Sequence, residues 1–179
     1  MRGQLKRSKP WLVGLLLLMA AIGLTAIFSP RSASGGESHD RIIAEGAGTT
    51  IIHGGTGPSG GFVPVLTTIA FHVDRTGGRV SGSFDCLALT PEANTGSKSG
   101  QFTVNAMYVA GQITGATVNG DTATLTGTAD ITGLGSGSNV SFTFVVRNGG
   151  PGATAVLTAN GLTFNELLVE GSFRVRSED

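Results

Sequence analysis

An all-β domain, folded as an antiparallel sandwich or a small barrel of about eight to ten short strands, is predicted by three observations. From Pro64 onward apolar and polar residues alternate with a period of two in successive short stretches. Glycine-rich punctuation separates those stretches, at Arg75-Thr-Gly-Gly78, Asn119-Gly120, Gly133 to Ser138 and Gly149-Gly-Pro-Gly152. Gly, Thr, Val and Ala dominate, and the Glu-, Lys-, Leu- and Gln-rich runs of long helices are missing.

A helical export segment precedes this domain. Arg2, Lys6, Arg7 and Lys9 stand before Trp11 to Phe28, an uncharged apolar run of about 18 residues, and Ser29-Pro30-Arg31-Ser32-Ala33-Ser34-Gly35 ends it. The run is short for a membrane span and long for a signal core. Two readings of residues 1–35 therefore stand: a signal peptide cleaved between Ser32 and Gly36, or a retained signal anchor. With the cations ahead of the run, both put the rest of the chain outside the cytoplasm, secreted or in the envelope and facing outward. The absence of an Arg-Arg pair argues against twin-arginine export, and no Cys lies near the exit for lipid attachment. Trp11 is the single Trp, so a cleaved product has no tryptophan emission.

Residues 36–62 follow as a Gly-rich flexible leader with one short strand at Thr49 to His53. Gly55-Thr-Gly57-Pro-Ser-Gly60 fits a dinucleotide-binding spacing, but Pro58 and its polar surroundings supply neither the strand nor the helix that the motif requires. The β domain is expected over 63–176. Ile69, Phe71 and Val73 share one face of its first strand, and Arg75-Thr-Gly-Gly78 turns the chain into Val80 to Ala88. Cys86, in phase with Val80 and Phe84, is expected to be a buried structural thiol. As the single cysteine, it forms no internal disulfide.

Phe102, Val104, Ala106 and Tyr108 are in core phase in the next strand, and Gly111 and Gly115 mark a bulge or corner before Val118. Asn119-Gly120 is the residue pair of a two-residue type I′ turn. After it Ala123, Leu125, Gly127, Ala129 and Ile131 point inward, with Thr122, Thr124, Thr126 and Thr128 outward. Val140, Phe142, Phe144 and Val146 form the most hydrophobic face. Ala153 to Ala159 and Leu162 to Leu167 are weaker strands, and the last strand turns Val169, Gly171, Phe173 and Val175 inward. Phe71, Phe84, Phe102, Phe142, Phe144, Phe164 and Phe173 make up the expected core.

Phe142-Thr-Phe144-Val-Val-Arg-Asn-Gly-Gly-Pro-Gly152, with the closing Gly171-Ser-Phe173-Arg-Val175, resembles the bacterial post-COAP domain. That group shows an F-x-V-x-V-x-D signature, then G-x-P-G and a glycine-led last strand, and the similarity runs from about Phe62 to Val175. Arg147-Asn148 stands where the signature has Asp, so no calcium-like role carries over. The resemblance implies export and a β fold and no activity.

Composition narrows the function further. From Gly36 onward seven cations face twelve acids, a net charge of −5, and the cations are scattered. That excludes the basic surface that nucleic acid or anionic lipid requires. Membrane contact is expected only if the N-terminal segment is retained. His72, beside Asp74 and within reach of Asp85, Ser81 and Ser83, is the nearest approach to a nucleophile–His–Asp group. An exposed strand face offers it no pocket and no oxyanion donors, so it reads as a surface histidine. His39 and His53 fall in the leader, and no metal-ligand spacing occurs. The Thr122-to-Thr128 row reads as ordinary exposed strand positions, with an ordered ice or polysaccharide surface as the alternative. No catalytic, cofactor-binding or metal residue is singled out, and no cofactor is expected. The expected function is that of an exported, non-enzymatic structural or interaction module with a cell-surface or extracellular partner. The alternative is a small barrel that binds an apolar ligand or catalyses a cofactor-free reaction. A lumen filled with Phe favours the first, and an inward-facing acid, Cys86 or Tyr108 lining a cavity favours the second.

Overall fold

Hydrogen bonding between strands runs through a full circle. The structure, a computed structural model, describes residues 41–56, 65–91 and 102–178. The expected export segment, His39 and the Gly55-to-Gly60 motif as a whole lie outside them. The strands are β1 (Arg41–Thr56), β2 (Leu66–Thr76), β3 (Arg79–Pro91), β4 (Phe102–Asn119), β5 (Thr122–Gly133), β6 (Gly137–Arg147), β7 (Thr154–Ala159) and β8 (Leu162–Glu178). Each pairs antiparallel with the next, and β8 returns to β1 to close a barrel. The sheet is thus a barrel and not a sandwich. Closure gives every described strand a neighbour on both sides.

The expected glycine-rich leader contains β1, which pairs with β2 from Arg41↔Thr76 to Ile51↔Leu66 and with β8 on its other side. Its glycines serve packing. A Cβ on Gly46 would lie 2.7 Å from Phe173 Cδ1 and 2.9 Å from Phe71 Cε1, so its absence makes room for two core rings. Large and small residues alternate around the wall in the same way elsewhere, as the taper of a small barrel requires.

Three register irregularities change the phase read from sequence. In β4, Ala88↔Met107 is followed by Leu89↔Asn105, so Ala106 is an extra residue. Met107 is therefore buried and Tyr108 faces out, where its hydroxyl donates to Asp85 at 3.0 Å. Between Ile113 and Gly115 the β4–β5 register shifts again, the irregularity that the glycines forecast. In β8, Thr49↔Glu170 is followed by Thr50↔Leu168, so Val169 bulges. Val169 is exposed and Leu168 takes the inward place expected for it.

The turns also move. Asn119 pairs with Thr122, leaving Gly120 and Asp121 as the turn residues. Only Gly120 of the two has positive φ, at 60°, which fits glycine first in a type II′ turn and not the expected type I′. The Asn-Gly pair with both residues at positive φ is Asn160-Gly161, 48° and 77°, between β7 and β8.

Phe71, Phe84, Phe142, Phe144, Phe164 and Phe173 are buried as expected, and the Phe102 side chain lies outside the described ones. Phe84 contacts Phe144 and Phe142 with centroids 4.7 and 5.2 Å apart, and Phe71 meets Phe144 and Phe173 at 5.3 and 5.6 Å. These rings fill the middle of the lumen, and each stabilises by roughly 1.5–3 kcal/mol through burial. Outward positions carry residues such as His72, Asp85, Gln112 and Thr126, all exposed. Apolar inside and polar outside is the reverse of a membrane-spanning barrel, so the described wall is built to face water.

Candidate functional site

Among the described residues one acid lies inside the barrel. Phe164, Glu166 and Leu168 share an inward phase on β8, and Glu166 is 1% exposed. Closure of β8 against β1 brings it to Thr50, whose hydroxyl bonds its carboxyl oxygen Oε2. Thr50 faces Thr67 across the β1–β2 register, and both threonines are fully buried. The row continues around the wall as Ala88 and Met107. Its first three members are small, whereas the row through Gly46 carries Phe71 and Phe84. Thr67 is the second residue of β2, so the cluster lies toward the end of the lumen where β2 begins.

Counting protons defines what this cluster can do. The Thr50 hydroxyl lies near two acceptors, Glu166 Oε2 and the Thr67 carbonyl oxygen at 3.3 Å, and has one hydrogen to give. With Glu166 ionised, Thr50 donates to the carboxylate. With Glu166 protonated, the acid donates to Thr50, which is then free to donate to the Thr67 carbonyl. The cluster thus has a satisfied arrangement in either state. Burial pushes the Glu166 carboxyl up to about 7, against the pull of the Thr50 and Thr67 hydroxyls toward the charged form. Both forms are therefore populated near neutral pH, as a group that holds or passes a proton requires. The Thr67 hydroxyl has no partner in hydrogen-bonding geometry, though it lies near enough to Glu166 to favour its charge.

Cys86 sits one row deeper, opposite Ile69, and is buried as expected. Burial, then the negative charges of Glu166 and Asp85, push its thiol well up. A thiol held protonated in this way is a poor nucleophile. Glu166 is therefore the group with chemical use in the lumen.

The residues considered from sequence are not brought together. His72 lies on the outer wall, and its nearest acid is Glu45, with Nδ1 3.9 Å from Oε2. Asp74 is instead held by Arg41 at 3.0 Å and Thr76 at 2.7 Å, and Asp85 by Tyr108. His53 is exposed near the end of β1. Glu45, His72, Ser172 and Arg174 line an open hollow of about 410 Å³. Its Arg174–Glu45 contact is a loose 3.9 Å between exposed groups, which contributes little. Thr126 extends the outward threonine row sideways through Thr143, Thr158 and Thr163. The row wraps a curved wall and presents no flat array.

Sequence reasoning passed over Glu166, Thr50 and Thr67. The signal was present as an acid in phase with Phe164 and Leu168, a polar residue where the strand is otherwise apolar. Compared with family models, with curated proteins and with solved structures, the chain matches none of them.

Proposed function

We propose that this chain is an exported, water-facing barrel that binds a small, mainly apolar molecule at the Glu166 end of its lumen. Glu166, Thr50 and Thr67 hold the ligand's polar group, and the apolar wall takes its body. One observation carries the reading: a carboxyl buried without a cation beside a buried hydroxyl without a partner. Burying such groups costs of order several kcal/mol, and a barrel built only for stability does better with apolar residues there. Closed barrels of this size have interiors just wide enough to be filled by side chains or to hold one small ligand. The resemblance to post-COAP domains fits export and the β fold and adds no ligand.

A second reading, a non-enzymatic structural or interaction module outside the cell, is favoured by the Phe packing through the middle of the lumen. Fluorescence titration of the purified exported protein with the neutral solvatochromic dye Nile red separates the two. Saturable binding in equimolar stoichiometry, with blue-shifted emission lost in a folded Thr67→Phe variant, is expected. No saturable binding, or binding unchanged in Thr67→Phe, overturns the lumen reading in favour of the second.

A further inference from the structure

Glu166 identifies the chemistry of its own partner. Among the described residues the groups acting on its carboxyl are the Thr50 and Thr67 hydroxyls, and no Lys, Arg or His pairs with it. The titratable group that faces it is the Cys86 thiol, kept protonated by burial. Beside it stand the Thr67 carbonyl, an acceptor, and the Thr50 and Thr67 hydroxyls, whose hydrogens favour the ionised carboxyl and whose oxygens can each accept from a ligand. An acid with acceptor oxygens beside it and no cation among the described residues is the complement of a group that brings positive charge and several N–H donors.

We infer that the ligand is an organic amine, an apolar body carrying one ammonium group that pairs with Glu166 and donates to Thr67. This inference rests on the reading of the lumen as a binding site and adds the class of ligand. A carboxylate or phosphate ligand would meet Glu166 as a like charge in a low-dielectric interior. A neutral alcohol finds acceptors but leaves the carboxylate without a counter-charge. Thr50, Thr67 and Ala88 form a row of small side chains around Glu166, and Met107 at the end of that row is an adaptable apolar side chain against which the ligand's body would pack. The net charge of −5 beyond Gly35 favours the approach of a cation.

Protonation gives this pairing a direction with pH. An ammonium pairs with the ionised carboxyl, so at pH below about 7 binding must first displace the Glu166 proton. Only the ionised fraction of the free protein is competent, and at pH 5.5 that fraction is about one in thirty. No bond of the ligand is made or broken; the Glu166 carboxyl O–H bond ionises and its proton passes to water or buffer.

Calorimetric titration of the exported protein with two probes of equal body, hexylammonium chloride and 1-hexanol, tests the inference. At pH 8 hexylammonium is expected to bind at least about ten-fold more tightly than hexanol. Its affinity is expected to fall about thirty-fold at pH 5.5, and Glu166→Gln to lose the preference while still binding hexanol. Hexanol binding as tightly as hexylammonium, or a preference that survives in Glu166→Gln, overturns the amine while leaving the lumen site in place. Failure of both probes to bind the wild-type protein overturns the amine and the lumen site together.

Discussion

Glu166 couples its proton to the fold. Its carboxyl titrates near the ordinary 4.5 when the chain is unfolded and at about 7 in the barrel, so the folded state holds the proton more tightly. The stabilisation from this group is complete below about pH 4.5 and is lost as pH rises through 7, a decline of about 3 kcal/mol across that window. Two surface acids act in the opposite sense and in a different range. The Thr76 hydroxyl and then Arg41 hold Asp74 below the usual carboxylate range, and Arg147 does so for Asp121. Their contribution is lost only as pH falls below about 4. Urea midpoints of the purified protein are therefore expected to decrease from pH 5 to pH 8, and to stay level in Glu166→Gln. A wild-type midpoint that is level or rising over that range contradicts a buried, unpaired carboxyl. Thr67→Val removes the hydroxyl that has no partner and keeps its shape. It is expected to leave stability unchanged or raise it by about 1 kcal/mol, read from the same midpoints.

At the scale of the strands, the period of two was legible and its phase was not. Phe71, Phe84, Phe142, Phe144 and Phe173 point inward as their alternation forecasts. Tyr108 and Val169 do not, because Ala106 and Val169 are extra residues in their ladders and nothing in the local composition marks a bulge. β1 was obscured for a different reason. Gly46 stands at an inward position where a strand normally advertises itself with a side chain, and the space it leaves is used by Phe71 and Phe173. Gly111 plays the same part in β4. A Cβ there would lie 2.8 Å from Phe142 Cε1, so Gly111→Ala is expected to destabilise by about 1–3 kcal/mol in chemical unfolding. Gly161→Ala is the contrasting case. Nothing lies within 4 Å of its Cβ position, so the φ of 77° alone is expected to cost about 1 kcal/mol. Equal and negligible losses in both variants contradict the assigned turn and packing.

The whole molecule depends on closure, and so does the site. Thr50 and Glu166 are 116 residues apart in the chain and meet only because β8 pairs with β1. Sequence forecasts a barrel or a sandwich equally from short alternating strands, and it is the closing β1–β8 pairing, with Ile52 opposite Glu166, that brings the Glu166 side chain to Thr50. The site was therefore illegible even where its acid was visible in phase. The aromatic packing that supports this geometry is concentrated, and Phe144 touches both Phe71 and Phe84. Phe144→Ala is expected to cost about 3–5 kcal/mol, comparable with the stability of a modest domain. An unchanged melting temperature in that variant contradicts the filled middle of the lumen.

Above that aromatic layer, the proposed working end of the barrel is the lumen around Glu166 and not the outer wall. Amide and methyl chemical-shift mapping of the isotope-labelled protein, with and without saturating Nile red, tests this most directly. The predicted result is a set of shifts centred on Thr50, Thr67, Ala88 and Glu166, reaching Met107. Shifts centred instead on Glu45, His72 and Arg174 across the outer hollow, or no shifts at all, would contradict it.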